Sequence, residues 1–302
     1  MVTPHPPRRA VGSLAAAALA ALVGCSTPPT ATPDFGAVDL DAALGRVPAD
    51  VSSVRGLDLP LDRSLLSPVE ELEVVRARNA VMERCLANHG LTYTFPAVDP
   101  ARDAVKPRRH GLVDDGEAAA YGYRDPAVFT PRRAAAKTAD QPPPDVVPVI
   151  TGAGGGVVGG HEVPSGGCAG EADRTLADDA RPGQEPVSFA LSHRSHEITR
   201  SAPPVVEAAA AWSRCMAEAR FDYADPDAAV NDPAFRAGRP SRHEVSVATR
   251  DVTCKERVEW VRTWVAVERA VQGELIRQHG ADVAREARHK DHQLSVAREI
   301  NG

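Results

Sequence analysis

The chain has 302 residues and a net charge of -6, with 35 Lys and Arg against 41 Asp and Glu. An acidic balance of this size does not suit a surface that binds nucleic acid or anionic lipid headgroups by charge. Aromatic residues make up 4%, whereas proline (26) and glycine (23) are abundant. The ordered core is therefore expected to be small for the length, with about a third of the chain in tether and loop.

Arg8 and Arg9 precede an apolar, alanine-rich run from Ala10 to Val23. This run is shorter than the roughly 20 residues of a spanning helix and has the composition of a secretory signal. It closes with Leu22-Val23-Gly24-Cys25, four residues that resemble the lipobox of bacterial lipoproteins. The resemblance implies removal of residues 1–24, acylation of Cys25 with diacylglycerol and a fatty acid such as palmitate, and a protein held on the extracytoplasmic face of the cell membrane. Losing two arginines and no acid moves the charge to -8, so the membrane partner would be engaged by the acyl chains on Cys25, two of which hold firmly where one does not. Arg8-Arg9 also suits a twin-arginine signal, although Ala10-Val11 lacks the usual apolar flank. In either case the mature chain would enter an oxidising compartment without a nucleotide pool, which disfavours ATP- and NAD-dependent chemistry.

Residues 25–66 read as the lipidated N-terminus and a flexible tether, rich in proline and scattered acids, with a short helix over Asp39–Gly45. Residues 67–302 read as the helical domain. Ser67-Pro68-Val69-Glu70 combines a serine cap, a proline at the first helical position and a capping-box glutamate. Val74, Val81 and Cys85 follow at helical spacing and Gly90 stops the helix, which predicts a helix over 68–89. Ten prolines between Pro96 and Pro164 make 96–167 loop-rich. Within it, Gly152 to Gly156 follows the apolar run Val146–Ile150 like a phosphate-cradling turn, but no Gly-Lys-Ser/Thr comes after it and Val157 stands where a dinucleotide fingerprint needs glycine. A flexible loop is the expected reading.

Helical composition returns at Ala169–Asp179, Val187–Arg200 is a poorly defined segment with room for a further short helix, and Ser201-Ala202-Pro203-Pro204 opens a helix whose face carries Val205, Ala208, Trp212 and Cys215. Ser241-Arg242-His243-Glu244 is a second capping box. It opens the longest expected helix, with one stripe of Cys254, Val258, Val261 and Val265, a second of Trp260, Trp264, Val267, Val271 and Leu275, and an end or break at Gly280. Residues 281–302 read as a charged helical tail.

With Cys25 lipidated, four cysteines remain, which as two disulfides allow three pairings. Residues 84–96 set over 214–226 give Arg-Cys-Leu-Ala-x-x-x-Leu-x-Tyr-x-x-Pro over Arg-Cys-Met-Ala-x-x-x-Phe-x-Tyr-x-x-Pro, five of thirteen identical. If each copy is a helix followed by a partner cysteine, the bridges are Cys85–Cys168 and Cys215–Cys254, each contributing ~3 to 4 kcal/mol by the loss of chain entropy in the unfolded state. Arg220 stands where the first copy has Gly90, so the second copy is expected to leave its helix by another route. The fold class that follows is mainly α: two related disulfide-stapled helical units, about 67–180 and 201–280, with long Pro/Gly-rich loops. The Leu-Val-Gly-Cys signal, the stretch Trp212–Pro226 and the stretch Ser246–Lys255 together resemble a family of uncharacterised actinobacterial lipoproteins, a resemblance that implies no catalytic residues.

Catalytic and metal motifs are weak. His161-Glu162, His196-Glu197 and His243-Glu244 each lack a histidine four residues after the first, and Asp225-Pro-Asp227 departs from a calcium loop at Ala229 and Val230. The pairs His193/His196 and His289/His292 share helix faces without a third ligand. No Gly-x-Ser-x-Gly elbow occurs. Trp212, Trp260 and Trp264 are expected to pack near the second disulfide. The reading that results is a membrane-anchored extracytoplasmic lipoprotein that acts by binding, as an accessory or scaffold with a protein partner at the cell envelope and with no cofactor, metal or catalytic residue. The competing classes are a cell-envelope hydrolase and a solute-binding lipoprotein.

Overall fold

The computed structural model describes residues 35–99, 108–129, 141–153, 155–176, 185–236 and 238–302. The signal, Leu22–Cys25 and the segment up to residue 34 lie outside the described residues. Within Ala37–Gly302, which form one unit, the architecture is mainly helical. The helices are α1 (Leu40–Leu44), α2 (Pro68–Asn88), α3 (Asp115–Tyr121), α4 (Val147–Thr151), α5 (Gly167–Leu176), α6 (Val187–Arg200), α7 (Pro203–Glu218), α8 (Pro226–Val230), α9 (Arg242–Arg257) and α10 (Trp260–Asn301). A two-residue hairpin, β1 (Val157–Val158) and β2 (His161–Glu162), is antiparallel, with Val157 opposite Glu162. Among the described residues, no helix is long and apolar enough to cross a membrane.

Both serines cap their helices, but only the first expected capping box closes, because the Glu244 carboxylate turns to Arg124 and the Tyr123 N–H instead of the Ser241 N–H. The Ser67 and Ser241 hydroxyls accept from the backbone N–H of Glu70 and Glu244, and the Glu70 carboxylate returns to the Ser67 N–H. Asp39 caps α1 in the same way through the N–H of Ala42. Asp225, the first acid of the rejected calcium loop, is the N-cap of α8.

The two disulfides are Cys85–Cys168 and Cys215–Cys254. Cys85 lies in the last turn of α2 and Cys168 in the first turn of α5, whereas Cys215 and Cys254 both lie in the last turns of their helices, α7 and α9. The repeat therefore covers a helix and its exit but not the partner helix. At the exit it is close. The N–H of Gly90 donates to Ala87 O and that of Leu91 to Leu86 O, while 130 residues on Arg220 donates to Ala217 O and Phe221 to Met216 O. This is the Schellman pattern twice. Gly90 has φ 73° and Arg220 φ 64°, which corrects the expectation of a different route: Arg220 takes the left-handed conformation that glycine takes freely. Phe221 and Leu91 then pack on the two cores that hold Met216 and Leu86.

The two cores are not contiguous in sequence. One gathers Val81, Met82, Cys85, Leu86, Val146, Val149, Cys168 and Ala172. The other gathers Trp212, Cys215, Met216, Val247, Ala248, Val252 and Cys254, and it takes Leu112, Ala118 and Tyr123 from the chain between Cys85 and Cys168. In the opposite direction, Leu294 and Ala297 of the expected charged tail are buried against Val74, Ala77 and Leu176. The tail therefore docks on α2, with Arg298 paired to Glu73 at 3.1 Å and Lys290 to Glu70 at 3.0 Å. Each unit lends a segment to the other.

Helix α10 makes this exchange. The long helix expected from Ser241 is interrupted at Val258 and Glu259, where Glu259 has φ 55°, and α10 starts afresh at Trp260. It bends at His279 (φ -120°, ψ 22°) but continues through Gly280 to Asn301. The expectation of a flexible tether up to Leu66 is likewise corrected from Ala37 on. Ala43, Leu59 and Leu61 are buried, and α10 holds this segment by polar contacts: Arg269 donates to Asp58 O and Arg55 O, Arg46 pairs with Glu274 at 2.8 Å, and Lys290 donates to Leu65 O. Peptide carbonyls in a proline-interrupted segment have no helix partner, and the cationic side chains of α10 supply one.

The left-handed residues make a prediction. Arg220 is exposed, and a non-glycine residue in this conformation costs roughly 1–2 kcal/mol. Arg220→Gly is expected to stabilise the protein by ~1 kcal/mol and raise Tm by a few degrees, and Gly90→Ala to lower it by a similar amount. Thermal unfolding of both variants measures this, and unchanged midpoints would remove the matched exits as a source of stability.

Candidate functional site

The densest gathering of ionisable and polar side chains surrounds Glu268 on α10. Glu268 and Gln272 interrupt an otherwise apolar helix face, and both are fully buried. An unpaired buried carboxylate would cost several kcal/mol, and the fold brings it partners from three directions. From the chain before α3, Arg109 forks onto the carboxylate, its Nε 3.1 Å from Oε1 and its Nη2 also on Oε1. From α6, the Ser195 hydroxyl lies 3.0 Å from Oε1. Within α10, the Trp264 indole N–H donates to Oε2 at 3.1 Å. His110 Nε2 stands 3.7 Å from Oε2, beyond hydrogen-bond length.

The network continues outward. Gln272 donates to Ser195 Oγ at 3.0 Å and accepts from the backbone N–H of Leu61 at 3.0 Å, while Arg109 Nη2 also donates to Ser192 O at 2.7 Å. One connected set of bonds thus joins α10, α6, the 3-10 turn Pro60–Ser64 and the chain at Arg109. Burial by itself would raise the Glu268 pKa, but the nearby His110 ring, the Arg109 hydrogen bonds and charge and the Ser195 hydroxyl outweigh it and hold the carboxyl down at about 2. The pKa of His196, tilted against Trp264 with ring centroids 4.9 Å apart, is also lowered: burial disfavours the charged ring, and Glu268 opposes this only in part.

A second buried network joins α9 to the same chain. Asp251 accepts from the Trp212 indole at 2.8 Å and from Lys255 Nζ at 2.8 Å, and Lys255 also donates to Leu112 O at 3.1 Å. Glu244 accepts from Arg124 Nε at 3.1 Å and from the Tyr123 N–H at 3.3 Å. Burial pushes the Tyr123 hydroxyl pKa up, with Asp251 adding to it.

Glu268, Ser195 and two histidines are residue types that perform acid–base chemistry, but Glu268 and Ser195 are fully buried and their lone pairs and donors are engaged with one another. The chemistry this arrangement supports is structural: an ionised carboxylate that fastens Arg109, and with it the segment leading to Leu112, into the core. Sequence reasoning missed this cluster because its members are scattered from position 61 to position 272. The readable signal was one glutamate and one glutamine in register with the Trp264, Val271 and Leu275 stripe. Trp264 was expected beside the second disulfide together with Trp212; only Trp212 is in that core, and Trp264 serves Glu268.

The paired histidines separate, since His193 packs on Phe189 and His196 on Trp264. His161 and Glu162 form the exposed strand β2, and His243 packs between Phe221 and Phe235. The glycine-rich segment follows helix α4 rather than a strand, and Gly152 ends that helix against the backbone of Gly167. An open polar cleft of 410 Å³ lies where the end of α10 meets α2, lined by Glu73, Arg76, Asp99, Arg298 and Asn301 among others. Of its charges, Arg298 and Glu73 are paired with each other, and Arg76 reaches Asn301 O at 3.5 Å. Finally, Cys85, His89 and Cys168 place their ligand atoms within 4.8 Å of one another, all three buried. No family model matches the chain, and comparison with curated proteins and with solved structures likewise finds no match.

Glu268 carries a prediction with a definite sign. A carboxyl near 2 in the fold and near its ordinary 4.5 when unfolded contributes stability above about pH 4.5 and loses it as pH falls toward 2. The contribution is about 3 kcal/mol. Glu268→Gln is expected to lower stability at neutral pH by ~2–4 kcal/mol and to flatten the pH dependence between about pH 5 and pH 2. Denaturant unfolding across that range checks it; an acid slope equal to that of the parent would assign the slope to other carboxylates.

Proposed function

We propose that the chain is an exported, lipid-anchored protein of the cell envelope that works by binding, as an accessory or scaffold for a protein partner. The observation that carries this reading is the cysteine distribution. Cys85, Cys168, Cys215 and Cys254 are paired in two buried disulfides, bonds that persist in oxidising compartments, and the fifth cysteine is Cys25 of Leu22-Val23-Gly24-Cys25. Acyl chains on Cys25 would hold the molecule on the extracytoplasmic face, and the 11 residues between Cys25 and Ala37 would keep the folded unit within roughly 40 Å of its anchor.

Binding is favoured over catalysis by what the polar side chains do. The Glu268 and Asp251 networks are used up in holding the 108–124 segment, and the open cleft between α2 and the end of α10 has charges of both signs on its walls. Such a surface suits a polar protein contact more than the enclosure of a small solute.

The test is metabolic labelling. Expressed in a bacterium with lipoprotein processing, the chain is expected to incorporate radiolabelled palmitate and to fractionate with membranes. Cys25→Ala should lose the label and the shift in mass that signal removal produces. Label retained in Cys25→Ala, or none in the parent, would end the lipoprotein reading.

A further inference from the structure

We propose that the Cys85–Cys168 disulfide is one state of a two-state site, and that on reduction the two sulfurs and His89 hold a thiolate-preferring divalent cation such as Zn²⁺. This goes beyond the lipoprotein reading and does not depend on it. The site is built on α2. Cys85 and His89 are four residues apart across its last turn, so they face the same side, and Cys168 is brought opposite by the first turn of α5. Their three ligand atoms lie within 4.8 Å of one another.

The imidazole is already oriented. His89 is 5% exposed, and its Nδ1 lies 3.0 Å from Val158 O. Because a carbonyl only accepts, Nδ1 carries the proton, so that in the neutral ring it is Nε2 that has the lone pair. A backbone carbonyl on the far nitrogen is the usual means of fixing a metal-ligating histidine. Val158 belongs to the β1–β2 hairpin, which sits on the end of α2 so closely that a Cβ at Gly159 would lie 2.3 Å from His89 O. The hairpin also carries His161, whose ring centroid is 6.2 Å from that of His89; a water or this imidazole would take the fourth position of a tetrahedral site.

The same hairpin gives access. It has two residues in each strand, Val157 and both residues of β2 are exposed, and local opening of so small an element is far easier than global unfolding. The second disulfide offers a contrast, because no group of possible ligands forms around Cys215 and Cys254 among the described residues.

The redox step balances with a dithiol reductant. One of its thiolates attacks a sulfur of the disulfide to give a mixed disulfide and its second thiol resolves this, so the reductant is oxidised to a disulfide and the protein gains two electrons and two protons as Cys85 and Cys168 thiols. Binding the cation then releases both protons and leaves two thiolates on the metal.

The experiment uses the full chain, reduced with dithiothreitol, freed of reductant under anaerobic conditions and titrated with Co²⁺ alone as the spectroscopic probe. One equivalent of Co²⁺ is expected to give thiolate-to-cobalt charge-transfer absorption and the visible bands of a tetrahedral centre, which Zn²⁺ then abolishes. The oxidised protein should give none. His89→Gln, which keeps an amide donor for Val158 O, is expected to weaken Co²⁺ binding at least ~10-fold. Absence of the bands at one equivalent, or His89→Gln binding as tightly as the parent, overturns the proposal. Helicity is followed in parallel by circular dichroism: a reduced chain that unfolds without metal must regain its helix signal with Co²⁺, and failure to do so also overturns it.

Discussion

The carboxylate of Glu268 is the point on which the tertiary arrangement turns. Once α10 is packed on both faces, this side chain has no route to water, and an ionised group in that position is tolerable only if the surrounding chain supplies compensating donors. It receives them from Arg109, Ser195 and Trp264. Through Ser195 and Gln272 the same network reaches the backbone at Leu61. Three segments that are far apart in sequence are thereby held at one place on α10. An apolar residue at 268 would pack without demanding any of them, so the buried charge selects this arrangement of segments as well as contributing to its stability.

The consequence is an exchange between the two disulfide-stapled units. The segment from Arg108 to Arg124 leaves the unit of Cys85 and Cys168 to complete the core around Trp212, where Lys255, Glu244 and Glu268 hold it. The end of α10 leaves the unit of Cys215 and Cys254 to cover α2. Each core is small, as the low aromatic content requires, and each is enlarged by chain from the other. The disulfides act within units and the exchanged segments act between them. Two stabilising devices that are individually modest thus operate at different levels of the fold.

The duplicated helix ends show how closely local backbone demands are met. Leu86–Gly90–Leu91 and Met216–Arg220–Phe221 form the same hydrogen bonds, although one uses glycine and the other arginine at the left-handed position. The apolar residue that follows each turn packs back on its own core, and that burial offsets the conformational cost at Arg220. Beyond the turns the copies diverge, since the partner cysteines sit at opposite ends of their helices. Around Cys85 the difference is chemical as well: His89 and the hairpin that orients it have no counterpart at Cys215.

What the sequence by itself determined were the properties that depend on neighbours along the chain. Capping serines, the spacing of apolar residues and the turn residues at Gly90 and Pro203 located α2, α7, the start of α9 and the short helix at Asp39, because a helix end is set by groups within four residues of it. The repeat, taken with the condition that each copy is closed by the next cysteine along the chain, led to the observed cysteine pairs. Tertiary structure alone decided the rest. Nothing local to Leu61, Arg109 or Ser195 reveals that they meet at Glu268, nothing local to Leu294 and Ala297 distinguishes a solvated tail from a docked one, and Ala43, Leu59 and Leu61 read as tether until α10 is beside them. Those outcomes depend on desolvating a particular carboxylate and covering a particular apolar face. The energy of doing so belongs to the assembled surfaces and not to any stretch of sequence.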